Sequence, residues 1–180
     1  KTVCYILGPL TAFNAYKQHY GFENIQEVIG MFGARKPSVS CLLGHQFNYA
    51  CDKDATVEYF GEFLEVPHTL YSTEFCKSDV LVQNYTFYEN LVDEPNKMII
   101  DVMKLWQHTT GGRPFSVYDT VVFLTPKVKT RILARVVWGN FVMNNALSNE
   151  HTNVYAVDEL TQELFEEYVV MWKDMLSIKT

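Results

Sequence analysis

Between Ser38 and Cys51 apolar residues recur at every second position, although Leu42 and Ala50 add apolar residues to the other set. Val39, Cys41, Leu43, His45, Phe47, Tyr49 and Cys51 take the odd positions, while Ser38, Ser40, Gly44, Gln46 and Asn48 are among the even ones. A β-strand repeats its side-chain direction every second residue, so this pattern predicts one long strand with an apolar face. The same period continues downstream. Within 56–66, Val57, Tyr59, Gly61 and Phe63 oppose Glu58 and Glu62, and further strands are predicted over 69–76 and 79–91. Short links between consecutive strands favour antiparallel pairing.

Helical signals flank this block. Thr2 to Leu7 is a short apolar strand stopped by Gly8-Pro9, and two short helices are predicted over 11–20 and 25–32, each closed by a glycine. Asp93-Glu94-Pro95 opens a third helix over 95–108, carrying Met98, Ile99, Val102, Met103 and Trp106. The segments 115–124 and 128–142 flank Thr125-Pro126-Lys127 as a hairpin. A long helix over 158–176 closes the chain, with Leu160, Leu164, Tyr168, Met171, Trp172 and Met175 inward. The expected class is α+β: an antiparallel, curved sheet of about six or seven strands, with two short N-terminal helices, a middle helix and a long C-terminal helix packed on it. One domain over 1–180 is expected. Two layouts suit this order: a curved sheet gripping the terminal helix around a cavity, or both amphipathic helices lying across one sheet face as a platform.

The four cysteines, Cys4, Cys41, Cys51 and Cys76, include no CxxC pair, and Asn84-Tyr85-Thr86 is a glycosylation sequon. Together with a chain that starts at Lys1, they predict a secreted, disulfide-bonded glycoprotein. On one straight strand Cys41 and Cys51 would stand roughly 33 Å apart, whereas a disulfide needs Cα atoms about 4.4–6.8 Å apart. Cross-element pairing is therefore expected, Cys4 with Cys41 or Cys51 and Cys76 with the other, unless Gly44 to Gln46 turns the chain. A glycan on Asn84 would put Val80, Val82, Thr86 and Tyr88 outside and Leu81, Gln83, Tyr85, Phe87 and Glu89 inside.

Chemistry-bearing motifs are missing. The sequence contains no GxSxG, HExxH, GxGxxG or GxxxxGK. That argues against an enzyme, and no cofactor or metal is expected. A net charge of −6 argues against nucleic-acid binding, and no apolar run reaches the ~18–20 residues of a membrane span. Aromatic residues make up 14% of the chain, enough to line an apolar pocket or an interface. The pocket candidates are His45, Tyr49, Tyr59, Gln83, Tyr85, Glu89 and Trp138; Lys127, Lys129, Arg131 and Arg135 form a basic strand face. The expected function is a secreted, non-enzymatic protein that holds a small, mainly apolar molecule between a curved sheet and the C-terminal helix. The alternative is a secreted interaction protein that binds a protein partner through its helix and sheet surface.

Overall fold

β1 (Thr2–Ile6) and β2 (Ile25–Met31) pair in parallel, joined by α1 (Thr11–Tyr20). The computed structural model describes residues 1–34, 45–61, 64–126, 131–137, 140–143, 153–157 and 159–178. Gly21, at φ +61°, ends α1, and its N–H donates to the Lys17 carbonyl at 2.8 Å. After β2 come α2 (Phe47–Cys51) and α3 (Lys53–Phe60), each started by a side chain. Gln46 accepts the Tyr49 N–H at 2.9 Å and Asp52 accepts the Ala55 N–H at 3.0 Å. β3 (His68–Tyr71) leads into the one-turn α4 (Thr73–Cys76). α5 (Tyr85–Glu89), α6 (Lys97–Thr109) and a 3₁₀ turn at Thr120–Phe123 follow. The chain then forms β4 (Arg131–Val137), β5 (Asn140–Met143), β6 (Val154–Val157) and α7 (Gln162–Leu176).

The strand order is β1-β2-β3-β6-β4-β5. β1, β2, β3 and β6 run parallel, while β4 is antiparallel to both β6 and β5. The class is therefore α/β, and the antiparallel sheet of six or seven strands is overturned. Two physical reasons account for the difference. A parallel strand is buried on both faces and loses its alternation, so Ile25, Val28, Ile29 and Phe32, a helical spacing in the sequence, belong to a strand and its exit. Conversely, the period-two segments at 47–51, 53–60 and 85–89 are helices, because capping at Gln46 and Asp52 and burial at Ala55, Thr56 and Tyr59 suit helical turns. The hairpin is β4–β5; Phe115 makes only an isolated bridge with Gln83.

Two compact units divide the chain: Lys1–Phe75 with Pro126–Glu159, and Cys76–Thr125 with Leu160–Thr180. In the first, Ile6, Leu10, Phe22, Val28, Phe32, Tyr59, Leu70 and Ala156 belong to one buried cluster. Gly30 lies opposite Ile6, where a Cβ would stand 3.1 Å from the Ile6 carbonyl oxygen and 3.2 Å from its Cβ. A side chain at this position would require β1 to give by a few tenths of an ångström. In the second unit, Leu164, Tyr168, Trp172 and Leu176 are the buried face of α7. The Asn96 side chain caps α6 by accepting from Ile99 at 3.3 Å and donates to the Ile178 carbonyl at 2.7 Å.

Candidate functional site

Open parallel sheets bind ligands outside the carboxyl ends of their strands. Here that edge consists of Met31 to Ala34 on β2 and its exit, and of Ser72 and Thr73 after β3. Gly33 turns the chain at φ +86°. Its carbonyl accepts both from the Thr73 N–H at 3.0 Å and from the Thr73 hydroxyl at 3.1 Å. Asn48 Nδ2 donates to the Met31 carbonyl at 3.0 Å, which leaves Oδ1 outside that bond. Gln46 Nε2 lies 3.9 Å from Met31 Sδ. Ser72 Oγ accepts the Phe75 N–H at 3.0 Å and so starts α4. Gln46, Asn48, Ser72 and Thr73 are all buried. Burying four polar side chains is costly unless each is paired. Held in place by backbone groups, they make a fixed row of amide and hydroxyl dipoles along one edge of the sheet.

A second buried polar pair sits at the amino end of β3. His68 Nδ1–H donates to the Val66 carbonyl at 2.8 Å, and Nε2 accepts from the Tyr59 hydroxyl. Burial pushes the His68 imidazole down to about 4, a direction reinforced by Lys17 and opposed by the Val66 carbonyl. Burial likewise raises the Tyr59 phenol. Both residues are fully buried and lie at the opposite end of the strands from the polar edge, so their pairing is structural.

An open groove of about 390 Å³ runs between β1 and α1, lined by Thr2, Cys4, Ala12, Phe13, Tyr16, Asn24 and Ile25. In the second unit, desolvation holds the Asp119 carboxyl above the ordinary carboxylate range at the start of the 3₁₀ turn. Among the described residues, no group of three or more His, Cys, Asp and Glu could hold a metal ion. Nor is any described helix long and apolar enough to cross a membrane.

The described candidates read from the sequence fall in both units. His45 meets Tyr49 edge-on at 5.2 Å between ring centroids, and Tyr59 lies buried against His68. Gln83, Tyr85 and Glu89 belong to the second unit: Gln83 bridges Phe115, Tyr85 N–H donates to Gln107 at 3.1 Å, and Glu89 pairs with Lys104 at 2.6 Å. Arg131 and Arg135 lie on β4, opposite Val157 and Val142. Trp138, Lys127, Lys129 and Cys41 lie outside the described residues.

Cys4, Cys51 and Cys76 are thiols, not disulfides; Cys76 Sγ donates to the Tyr118 carbonyl at 3.8 Å. Asn84 precedes a helix instead of lying on a strand, and its Oδ1 accepts from Gln107 Nε2 at 2.7 Å. The inside and outside faces assigned from the sequon are therefore void, since they assumed a strand. The polar edge itself went unread. Period-two alternation sets Gln46 and Asn48 opposite the apolar face of a strand, and the signal that points instead to helices is the pair of helix starts at Gln46 and Asp52.

No protein-family model matches the sequence, and no curated protein matches it. Solved structures do. The inosine-uridine preferring nucleoside hydrolase from Bacillus anthracis matches with a TM-score of 0.67 at 15% identity, over 98% of this chain and 61% of that one. The purine-preferring ribonucleoside hydrolase from Gardnerella vaginalis matches with a TM-score of 0.68 at 15% identity, over 96% of this chain and 60% of that one. The chain thus has the fold of these hydrolases and spans about three-fifths of their length. The likeness overturns the expectation of a non-enzymatic carrier or interaction protein. A mostly parallel sheet stands in place of the curved antiparallel one on which the apolar cavity depended, Cys4, Cys51 and Cys76 are thiols, and the fold is shared with two hydrolases.

Proposed function

We propose that this chain is the nucleoside-recognising portion of an N-glycoside hydrolase. The observation that carries the reading is the row of buried amides and hydroxyls, Gln46, Asn48, Ser72 and Thr73, at the carboxyl edge of a sheet whose fold matches two nucleoside hydrolases. A ribose offers hydroxyl groups that both donate and accept, and fixed amide and hydroxyl dipoles recognise them without reorganising. Phe47, 59% exposed and placed between the two amides in sequence, offers a ring face for a nucleobase. In the reaction a water oxygen bonds to C1′ as the C1′–N bond breaks, and the base leaves with the electron pair and takes up a proton. Gln46, Asn48 and Thr73 bind and orient the sugar.

Calorimetric titration with inosine and with uridine, and chromatographic detection of released base, test this. Saturable binding is expected, weakened at least tenfold by Asn48→Ala or Gln46→Ala while the far-ultraviolet spectrum stays native. A folded protein that binds neither nucleoside would refute the reading.

A further inference from the structure

Gln46, Asn48, Ser72 and Thr73 are neutral side chains, yet the same edge of the sheet also holds a charge. Leu7 to Leu10 join the end of β1 to the start of α1, so Thr11 stands at the carboxyl edge. Its hydroxyl donates to Asp52 Oδ2 at 2.6 Å. The other oxygen, Oδ1, accepts the Ala55 N–H and starts α3. Asp52 also closes α2, its N–H donating to the Tyr49 carbonyl at 3.2 Å. One turn separates it from Asn48, about 6 Å along the helix axis. Asn48 in turn is tied to the Met31 carbonyl at the end of β2. β1, β2 and β3 are neighbours in the sheet, and adjacent strands lie ~4.8 Å apart, so their ends set Thr11, Asn48 and Thr73 along a row about 10 Å long. All of these residues belong to the first compact unit.

The Thr11 hydroxyl and the Ala55 N–H hold the Asp52 carboxyl below the ordinary carboxylate range, with burial opposing them. The amino end of α3 favours the same ionised form. Each carboxylate oxygen can accept a second bond beyond these contacts. We propose that Asp52 is the fixed negative charge that stabilises the transition state at C1′ of a bound ribose; the inference rests on the reading of this edge as a nucleoside site. As the C1′–N bond breaks, positive charge spreads over C1′ and the ring oxygen. Neutral amides and hydroxyls orient the sugar but offset that charge weakly, whereas a carboxylate already held in place offsets it without reorganising. Asp52 forms no bond to the sugar and takes up no proton. The water oxygen bonds to C1′, the base leaves with the electron pair, and the proton that water loses balances the one the base acquires. Capping α3 needs only an acceptor, which asparagine or serine supplies equally well, so the charge and the cap are separable.

Calorimetric titration with inosine and chromatographic assay of released hypoxanthine, on the whole chain and on Asp52→Asn, test this. The variant keeps the cap, so its thermal transition should be unchanged and its inosine affinity should stay within about threefold, while base release falls on the order of a hundredfold. A second readout needs no turnover. Iminoribitol, a ribose analogue whose ring nitrogen is protonated, should bind the wild type about tenfold more tightly than Asp52→Asn. Asp52→Ser, an uncharged cap, takes the place of Asp52→Asn if that chain does not fold. A wild type that fails to bind inosine would remove the nucleoside reading and this inference with it. Four results would overturn the role of Asp52 alone: a wild type that binds inosine but releases no base, a variant that releases base at the wild-type rate, equal iminoribitol affinities, or a parallel loss of inosine affinity and base release, which would mark Asp52 as structural.

Discussion

Replacing His68 by glutamine should remove a defined part of the acid sensitivity of the fold. His68 is fully buried between the Val66 carbonyl and the Tyr59 hydroxyl, with the ring of Phe22 edge-on at 5.9 Å. In that site the neutral imidazole is satisfied on both nitrogens, so a proton on Nε2 would displace the Tyr59 donor and bring a charge into an apolar cluster. The folded value of about 4 lies below the ordinary 6.5. The unfolded chain therefore takes up the proton first as pH falls. Stability from this group is complete above pH 6.5, declines as pH drops through the interval, and is lost below 4. A difference of this size corresponds to about 3 kcal/mol. Glutamine keeps an acceptor for Tyr59 but does not titrate. Urea unfolding of both proteins, followed by circular dichroism at half-unit steps from pH 7.5 to 3.5, isolates the His68 contribution as the difference between their slopes. The wild type should lose about 3 kcal/mol more than His68→Gln over this range. Identical slopes in the two proteins would refute the assignment of a neutral, buried imidazole.

Gly30→Ala should lower stability by about 1–3 kcal/mol, since the added methyl must push β1 from β2; thermal melting unchanged from wild type would show that the two strands yield freely. Asn96→Ala removes both the α6 cap and the bond to Ile178, and a loss of about 1–2 kcal/mol is expected in urea titration. A loss confined to a few tenths would mean that water replaces the side chain at both groups. Alkylation of the unreduced native protein should label the exposed Cys51 quickly, Cys4 more slowly, and the buried Cys76 only after denaturation. Peptide maps in which any of these three is labelled only after reduction would contradict the thiol assignment.

Several elements were legible from local pattern. The strand ending at Gly8-Pro9, the helix that Gly21 stops, and the helices at Lys97–Thr109 and Gln162–Leu176 are present in the fold. In each, a breaker, a cap or a sustained period lies within a few residues of the element it defines. β2 was not legible, because a strand covered on both faces shows the same short apolar run as a buried helix turn. α3 and α5 were misread for the opposite reason: eight and five residues are too few for a period of 3.6 to separate from one of 2. The polar edge was illegible for a different cause. Gln46, Asn48, Ser72 and Thr73 are scattered over two segments and become neighbours only when β2 and β3 pair.

What the amino-acid sequence determined by itself was therefore local: where the chain must turn, which stretches are apolar enough to be buried, and that the segment of α6 carries an apolar stripe. The tertiary structure decided strand direction, which face of α6 is covered, and which polar groups meet. Parallel pairing joins residues tens of positions apart, such as Gly30 with Leu70 and Leu70 with Ala156. Burial is likewise a property of neighbours that a local period cannot name, so Ile100 and Met103 are hidden while Met98 and Val102 stay in solvent.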